Sequence, residues 1–132
     1  MKLTDLWNSR NTPTLSFELF PARNEKAAAN LDKAIDKLAA LEPNFVSVTF
    51  GAGGSTREGS RQLVKNLCEE KGLETLAYFA GFGLSPDEIT AVIGDYQALG
   101  VENILVGRGD EPRDENFTPH PESFAYASDL MG

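Results

Sequence analysis

The sequence predicts an α/β chain assembled from consecutive strand–helix units with parallel strands. Strand-like runs begin near residues 14, 45, 74 and 103, and a recurrence of about 30 residues is the length of one βα unit. Three of the runs are followed by apolar positions stepping by three and four, the period of a helix with one buried face. Proline, glycine and side-chain caps mark the joints between them. Residues 1–13 read as a lead-in, with a helical turn at Leu3, Leu6 and Trp7, and residues 14–132 as one domain.

The first strand, Thr14 to Phe20, ends at Pro21. Period-two alternation puts Leu15, Phe17 and Leu19 on one face and Ser16, Glu18 and Phe20 on the other. Asn24 then caps a helix with apolar positions Ala28, Leu31, Ile35, Leu38 and Leu41, closed by Glu42-Pro43-Asn44. Phe45 to Phe50 is the second strand, and it runs into Gly51-Ala52-Gly53-Gly54. Ser55 with Glu58 three residues on has the capping-box pattern. The helix it opens buries Leu63, Val64, Leu67 and Cys68 and stops at Gly72.

Glu74 to Ala80 is the third strand. Ser85-Pro86-Asp87-Glu88 combines a cap, a first-turn proline and an acid at the third position. The helix that follows carries Ile89, Val92, Ile93, Tyr96 and Leu99 and ends at Gly100. Asn103 to Val106 is the fourth strand, leading into Gly107-Arg108-Gly109-Asp110. A polar loop covers residues 111–121, and Glu122 to Met131 is expected to begin a fourth helix.

Composition narrows the function. A chain of 132 residues with 41% hydrophobic and 24% charged residues can bury a core. Its net charge of −8 argues against non-specific nucleic-acid binding, which needs a basic face. One cysteine and one histidine leave no disulfide framework and no usual zinc ligand set. No run approaches the length needed to span a bilayer, and the start lacks a cleavage pattern, so the cytoplasm is the expected location.

Two architectures share this rhythm, an open doubly wound sheet and a (β/α)8 barrel, and both bind ligands at the carboxyl ends of their strands. Glu18, Thr49, Tyr78 and Asp110 all fall there. Glu18 is either a solvated carboxylate paired with Arg23 or a general acid or base set among apolar side chains. The Gly51–Gly54 loop departs from the dinucleotide fingerprint, because Thr56 stands where the third glycine belongs. Asp110 follows a glycine bend that lets a carboxylate approach a ligand, with Arg108 as its partner or an anion's. Thr49 and Ser47 share a strand face. Cys68 reads as core and His120 as an exposed loop residue.

These segments taken together resemble the methylenetetrahydrofolate reductase family. The matching stretches are Ser16-Phe17-Glu18-Leu19-Phe20-Pro21, Ser47 through Arg57, Pro86-Asp87-Glu88, Arg108-Gly109-Asp110 and Tyr126-Ala127-Ser128-Asp129-Leu130, in family order. The resemblance implies a (β/α)8 barrel of which this chain supplies the first four βα units, with FAD at the carboxyl ends of the strands. The implied reaction is reduction of 5,10-methylenetetrahydrofolate to 5-methyltetrahydrofolate, a step of one-carbon metabolism that serves methionine biosynthesis.

Within that resemblance, Glu18 is the general acid that protonates N10 of the folate. Thr49 bonds near flavin N5, Asp110 sits beside flavin and folate, and Arg108 helps bind FAD. Tyr78 stands where many relatives carry a flavin-side histidine. The electron donor is NADH, NADPH or a partner protein, and no nucleic acid or membrane is involved. A closed barrel needs about eight strands, so the chain is expected to oligomerise or to require a C-terminal half. The alternative is a truncated, non-catalytic half barrel acting as an assembly partner.

Overall fold

The computed structural model describes residues 1–51, 54–111 and 116–131, with backbone alone for 54–56. The elements, in order, are α1 (Leu3–Ser9), β1 (Ser16–Leu19), α2 (Glu25–Ala39), β2 (Phe45–Val48), α3 (Gly54–Lys65) running into a π turn (Asn66–Glu70), β3 (Thr75–Ala80), α4 (Pro86–Ala98), β4 (Asn103–Gly107) and α5 (Ala127–Leu130). The strands form one parallel sheet in the order β1-β2-β3-β4.

Local chemistry explains the boundaries. Asn24 accepts a hydrogen bond from the Ala27 N–H at 2.8 Å and opens α2. Ser85 and Glu88 form a reciprocal capping box at α4, with Pro86 in the first turn. Gly100 ends α4 at a φ of 81°, where a side chain would be strained. Helix α3 begins at Gly54, one residue before the expected cap. Ala52 and Gly53, the Ser55 side chain, residues 112–115 and Gly132 lie outside the described residues.

One face of the sheet carries the main core. Leu19, Val46, Val48 and Ala77 pack against Ile35 of α2, Leu63 and Val64 of α3, Leu67 of the π turn and Tyr96 of α4. Phe17 and Ile104 extend this face, so the alternation expected for the first strand is observed, although Leu15 is exposed. Three helices on one face, with strands in sequential order, match a segment of a (β/α)8 barrel. A doubly wound sheet covers both faces and reverses its strand order. Cys68 packs at the edge of this core, where burial pushes its thiol up, as suits a core cysteine.

Burial of Tyr96, 3% exposed, pushes its phenol up to about 12. An unfolded tyrosine ionises near pH 10, so the unfolded chain loses this proton first. The stability linked to Tyr96 is therefore complete below about pH 10 and lost as pH rises towards about 12. Urea unfolding across that window is expected to show an alkaline decline in the native protein that Tyr96→Phe flattens.

The opposite, inner face is layered along the strands. At its amino-terminal end Leu3 and Leu6 of α1 cover Phe45 and Leu76. Asn103 clamps α1 by accepting from the Leu3 N–H at 2.8 Å while its amide donates to Glu74 Oε1 at 2.8 Å and to the Met1 carbonyl at 2.7 Å. The lead-in is thus a seven-residue helix closing that end of the sheet, more than the single turn expected. Beyond it the inner face is open. Phe20 is 64% and Leu105 48% exposed, and strands β1 and β4 are the sheet's edges.

The fourth helix expected from Glu122 is confined to the four residues of α5. Its start is delayed because residues 117–125 take other contacts. The His120 N–H donates to the Gly83 carbonyl, the Ala125 carbonyl accepts from Arg108, and Phe117 packs on Phe82. His120 is exposed, and its Nδ1 accepts from the Glu122 N–H. Among the described residues no helix is long and apolar enough to cross a membrane.

Candidate active site

The inner face beyond the α1 plug holds the polar residues singled out by the sequence. Register places Glu18 of β1 opposite Ser47 of β2, and Ser47 opposite Leu76 of β3. Tyr78 lies two residues further along β3, on the same face, and reaches back across β2. Its hydroxyl donates to Glu18 Oε2 at 2.6 Å, a length typical of a hydrogen bond to a carboxylate. Ser47, 6% exposed, is held beneath this pair.

Glu18 raises the Tyr78 phenol above its ordinary range, chiefly because the bond to the carboxylate requires the phenol's proton. Burial adds to the rise, and the Ser47 side chain opposes it. Glu18 itself is exposed on the open inner face. Burial among phenylalanine side chains, expected for a working acid, is not observed. The reason is topological, since β1 is an edge and Phe20 projects from the same face into the open.

The other candidates gather around two clefts at the carboxyl ends of the strands. Thr49, one residue past β2, lines a cleft of about 540 Å³ with Phe20, Pro21, Ala22, Arg23, Gly51 and Gly59. Its N–H donates to the Leu19 carbonyl and its carbonyl accepts from the Ser60 hydroxyl, so the backbone there is fixed on both sides. Asp110 lines a second cleft of about 170 Å³ with Phe50, Arg57, Ala80, Phe82, Gly109 and Phe117. The structure therefore joins Glu18 to Tyr78 and Ser47, and puts Thr49 and Asp110 in separate clefts.

Arg108 is already engaged. Its guanidinium lies 4.4 Å from the Phe82 ring centroid, donates to the Ala125 carbonyl at 3.2 Å and pairs with Glu111 at 3.1 Å. This stack and these bonds pin the loop after β4 over the end of β3. Gly109 makes the bend, with a φ of 86° and no room for a Cβ beside Ala80. Arg57 was not singled out by spacing. Its guanidinium is 5.9 Å from the Phe50 centroid, and its buried Nε has no hydrogen-bond partner among the described residues.

Residues 2–132 match the family described as methylenetetrahydrofolate reductase. The chain belongs to that family. It is 36% identical over 117 residues to the 5,10-methylenetetrahydrofolate reductase of Escherichia coli (strain K12), an alignment covering 89% of this chain and 38% of that protein. It is 33% identical to methylenetetrahydrofolate reductase 1 of Schizosaccharomyces pombe and 31% to a probable methylenetetrahydrofolate reductase (NADH) of Oryza sativa. These alignments cover 89% and 88% of the chain and 20% of each relative. The chain thus spans well under half the length of the methylenetetrahydrofolate reductases it matches, and the family match over residues 2–132 contains every residue of the two clefts and of the Glu18–Tyr78 pair.

Two signals bear on the residues that spacing left aside. Ser47 shares a strand face with Thr49 by alternation, and the register of β1 and β2 sets it opposite Glu18. Phe82 stands between Gly81 and Gly83, and its contact with Phe117 depends on a loop closing over β3, which no local pattern encodes.

Proposed function

We propose that this chain forms the proton-donating, cofactor-facing part of a flavin-dependent methylenetetrahydrofolate reductase. The observation that carries the proposal is the family match over residues 2–132, which includes an acid, Glu18, presented on the inner face of a parallel sheet. The overall reaction is reduction of 5,10-methylenetetrahydrofolate to 5-methyltetrahydrofolate.

Reduced FAD, when bound, supplies the hydride. Glu18 gives its proton to N10 of the folate. The bond from the methylene carbon to N10 breaks with its electron pair going to N10, and the carbon is left as an iminium on N5, open to hydride. Of the residues that would hold FAD, Asp110 would set its negative charge beside flavin and folate, and Thr49 would offer its hydroxyl towards the flavin's N5. Arg108 holds the loop that carries Asp110 and would supply a cation for the cofactor's phosphates, with Tyr78 as a residue that would border the flavin.

The residues present fit such a group in kind. The smaller cleft combines aromatic walls, a glycine bend and the partnerless buried Nε of Arg57, features that suit a flat ring joined to an anion. At about 170 Å³ it takes part of a dinucleotide. The rest belongs to the further strands that close the barrel along the free edges of β1 and β4. NADH or NADPH is the electron donor, and the cytoplasm is the site of action.

A second reading has its own support in the open inner face, where Phe20 and Leu105 are exposed between two unpaired edges. On that reading the chain is a non-catalytic half barrel whose role is assembly with a partner. One experiment separates the two. The purified intact protein is expected to carry stoichiometric flavin absorbance that NADH or NADPH bleaches and 5,10-methylenetetrahydrofolate restores. Flavin-free protein, or bleached flavin that the folate leaves unchanged, overturns the reductase proposal.

A further inference from the structure

The hydrogen bond between Tyr78 and Glu18 spans two strands and joins the proposed acid to a residue assigned to the cofactor. A phenol has one proton to donate, and here it is directed at one carboxylate oxygen. Glu18 Oε2 is therefore an acceptor while the bond persists. In the neutral acid, the carboxyl proton must reside on the other oxygen.

We propose that Tyr78 is a positioning residue for Glu18: by donating to Oε2 it fixes the plane of the carboxyl group and confines the transferable proton to Oε1. The inference rests on the reductase reading, and it gives the tyrosine a role directed at the acid and, through it, at the folate.

Three observations support it. The contact, at 2.6 Å, is a charge-assisted hydrogen bond of ordinary length that reaches from β3 to β1 across β2. Without it Glu18 is an exposed side chain on an edge strand with several rotatable bonds, and no other hydrogen bond anchors its carboxylate among the described residues. Ser47 of β2 lies opposite Glu18 in the register, on the strand that the Tyr78–Glu18 bond crosses, and its side chain acts on the phenol. Glu18 and Ser47 are the side chains of β1 and β2 that act on the phenol, and Glu18 dominates. Orientation of a proton donor is worth having, because a small misplacement of a reacting group costs rate steeply.

The test uses the intact flavin-loaded protein. Tyr78→Phe keeps the ring and removes the donor, so it is expected to lower the folate-dependent kcat about ten- to a hundredfold, the worth of one hydrogen bond to a charged group. The folate KM is expected to stay at the native value, and any change in flavin content or in the rate of flavin reduction by NADH or NADPH is expected to be much smaller than the loss in kcat. A native kcat overturns the inference, as does an effect confined to KM or flavin retention, which would make Tyr78 a binding residue.

A second measurement needs no turnover. With tyrosine labelled at the ring carbon bearing oxygen, carbon-13 NMR follows the ionisation of Tyr78, assigned by its absence in Tyr78→Phe. In Glu18→Gln the Tyr78 titration is expected to move to lower pH, because the carboxylate that holds the phenol's proton is gone. An unmoved titration overturns the inference. Full folate turnover by Glu18→Gln, with the titration shifted as expected, would instead refute Glu18 as the acid and leave the Tyr78 bond standing.

Discussion

If the proposed reductase activity holds, replacing Glu18 by glutamine in the intact protein is expected to reduce folate turnover by a factor of about 10² to 10⁴, the usual contribution of a positioned general acid. The substitution keeps the shape of the side chain and its place on the inner face of β1, and it still accepts a hydrogen bond from Tyr78 at its carbonyl oxygen. It removes the transferable proton and, with it, the carboxylate charge. Flavin content is expected to be unchanged, because Glu18 lies outside both strand-end clefts. Reduction of the flavin by NADH or NADPH, which needs no proton at N10, is also expected to be native. A loss confined to the folate step is the signature of an acid, whereas a parallel loss of flavin would mark a structural role.

The largest expected effect on stability is at Leu67. This side chain is fully buried, with 0% exposure, in the π turn that follows α3, and it packs within the main core. Its carbonyl also accepts the Leu73 N–H at 2.9 Å, which starts the approach to β3. Leu67→Ala removes three buried carbons and leaves a cavity between helix and sheet. A cost of about 2 to 5 kcal/mol is expected, a large share of the ~5 to 15 kcal/mol that holds a domain folded. The midpoint of urea unfolding is expected to fall accordingly, with the slope unchanged. The exposed Leu41 serves as the comparison, since Leu41→Ala is expected to move the midpoint little.

What the sequence made legible was the local chemistry. Asn24 and Ser85 announced their helices because a capping side chain acts on a backbone N–H two or three residues away. The buried face of β1 was readable because alternation is a property of the strand alone. The family resemblance was legible for the same reason, as its motifs are contiguous and ordered. Less legible were features that depend on register. Tyr78 meets Glu18 only because β2 sets the two strands in a particular stagger, and nothing within either strand reports that.

Competition between contacts explains the remaining differences. The segment after Glu122 has helix-compatible residues, yet its backbone is drawn to Gly83 and Arg108 before α5 can start. Residues 1–13 gave a weak periodic signal because α1 is short. Its placement comes from Asn103, about a hundred residues away, which clamps it through both ends of one amide. The exposure of Glu18 has a similar origin, because burial of a side chain on an edge strand is decided by whatever pairs with that edge.

The role proposed for Glu18 is donation of the proton that opens the methylene bridge. It is tested most directly by single-turnover stopped flow, in which the pre-reduced flavin of the intact protein is mixed with 5,10-methylenetetrahydrofolate and its reoxidation is followed by absorbance. Rapid reoxidation is expected in the native protein and a rate lower by about 10² or more in Glu18→Gln, with the preceding reduction by NADH or NADPH unaltered. Reoxidation of Glu18→Gln at the native rate would contradict it.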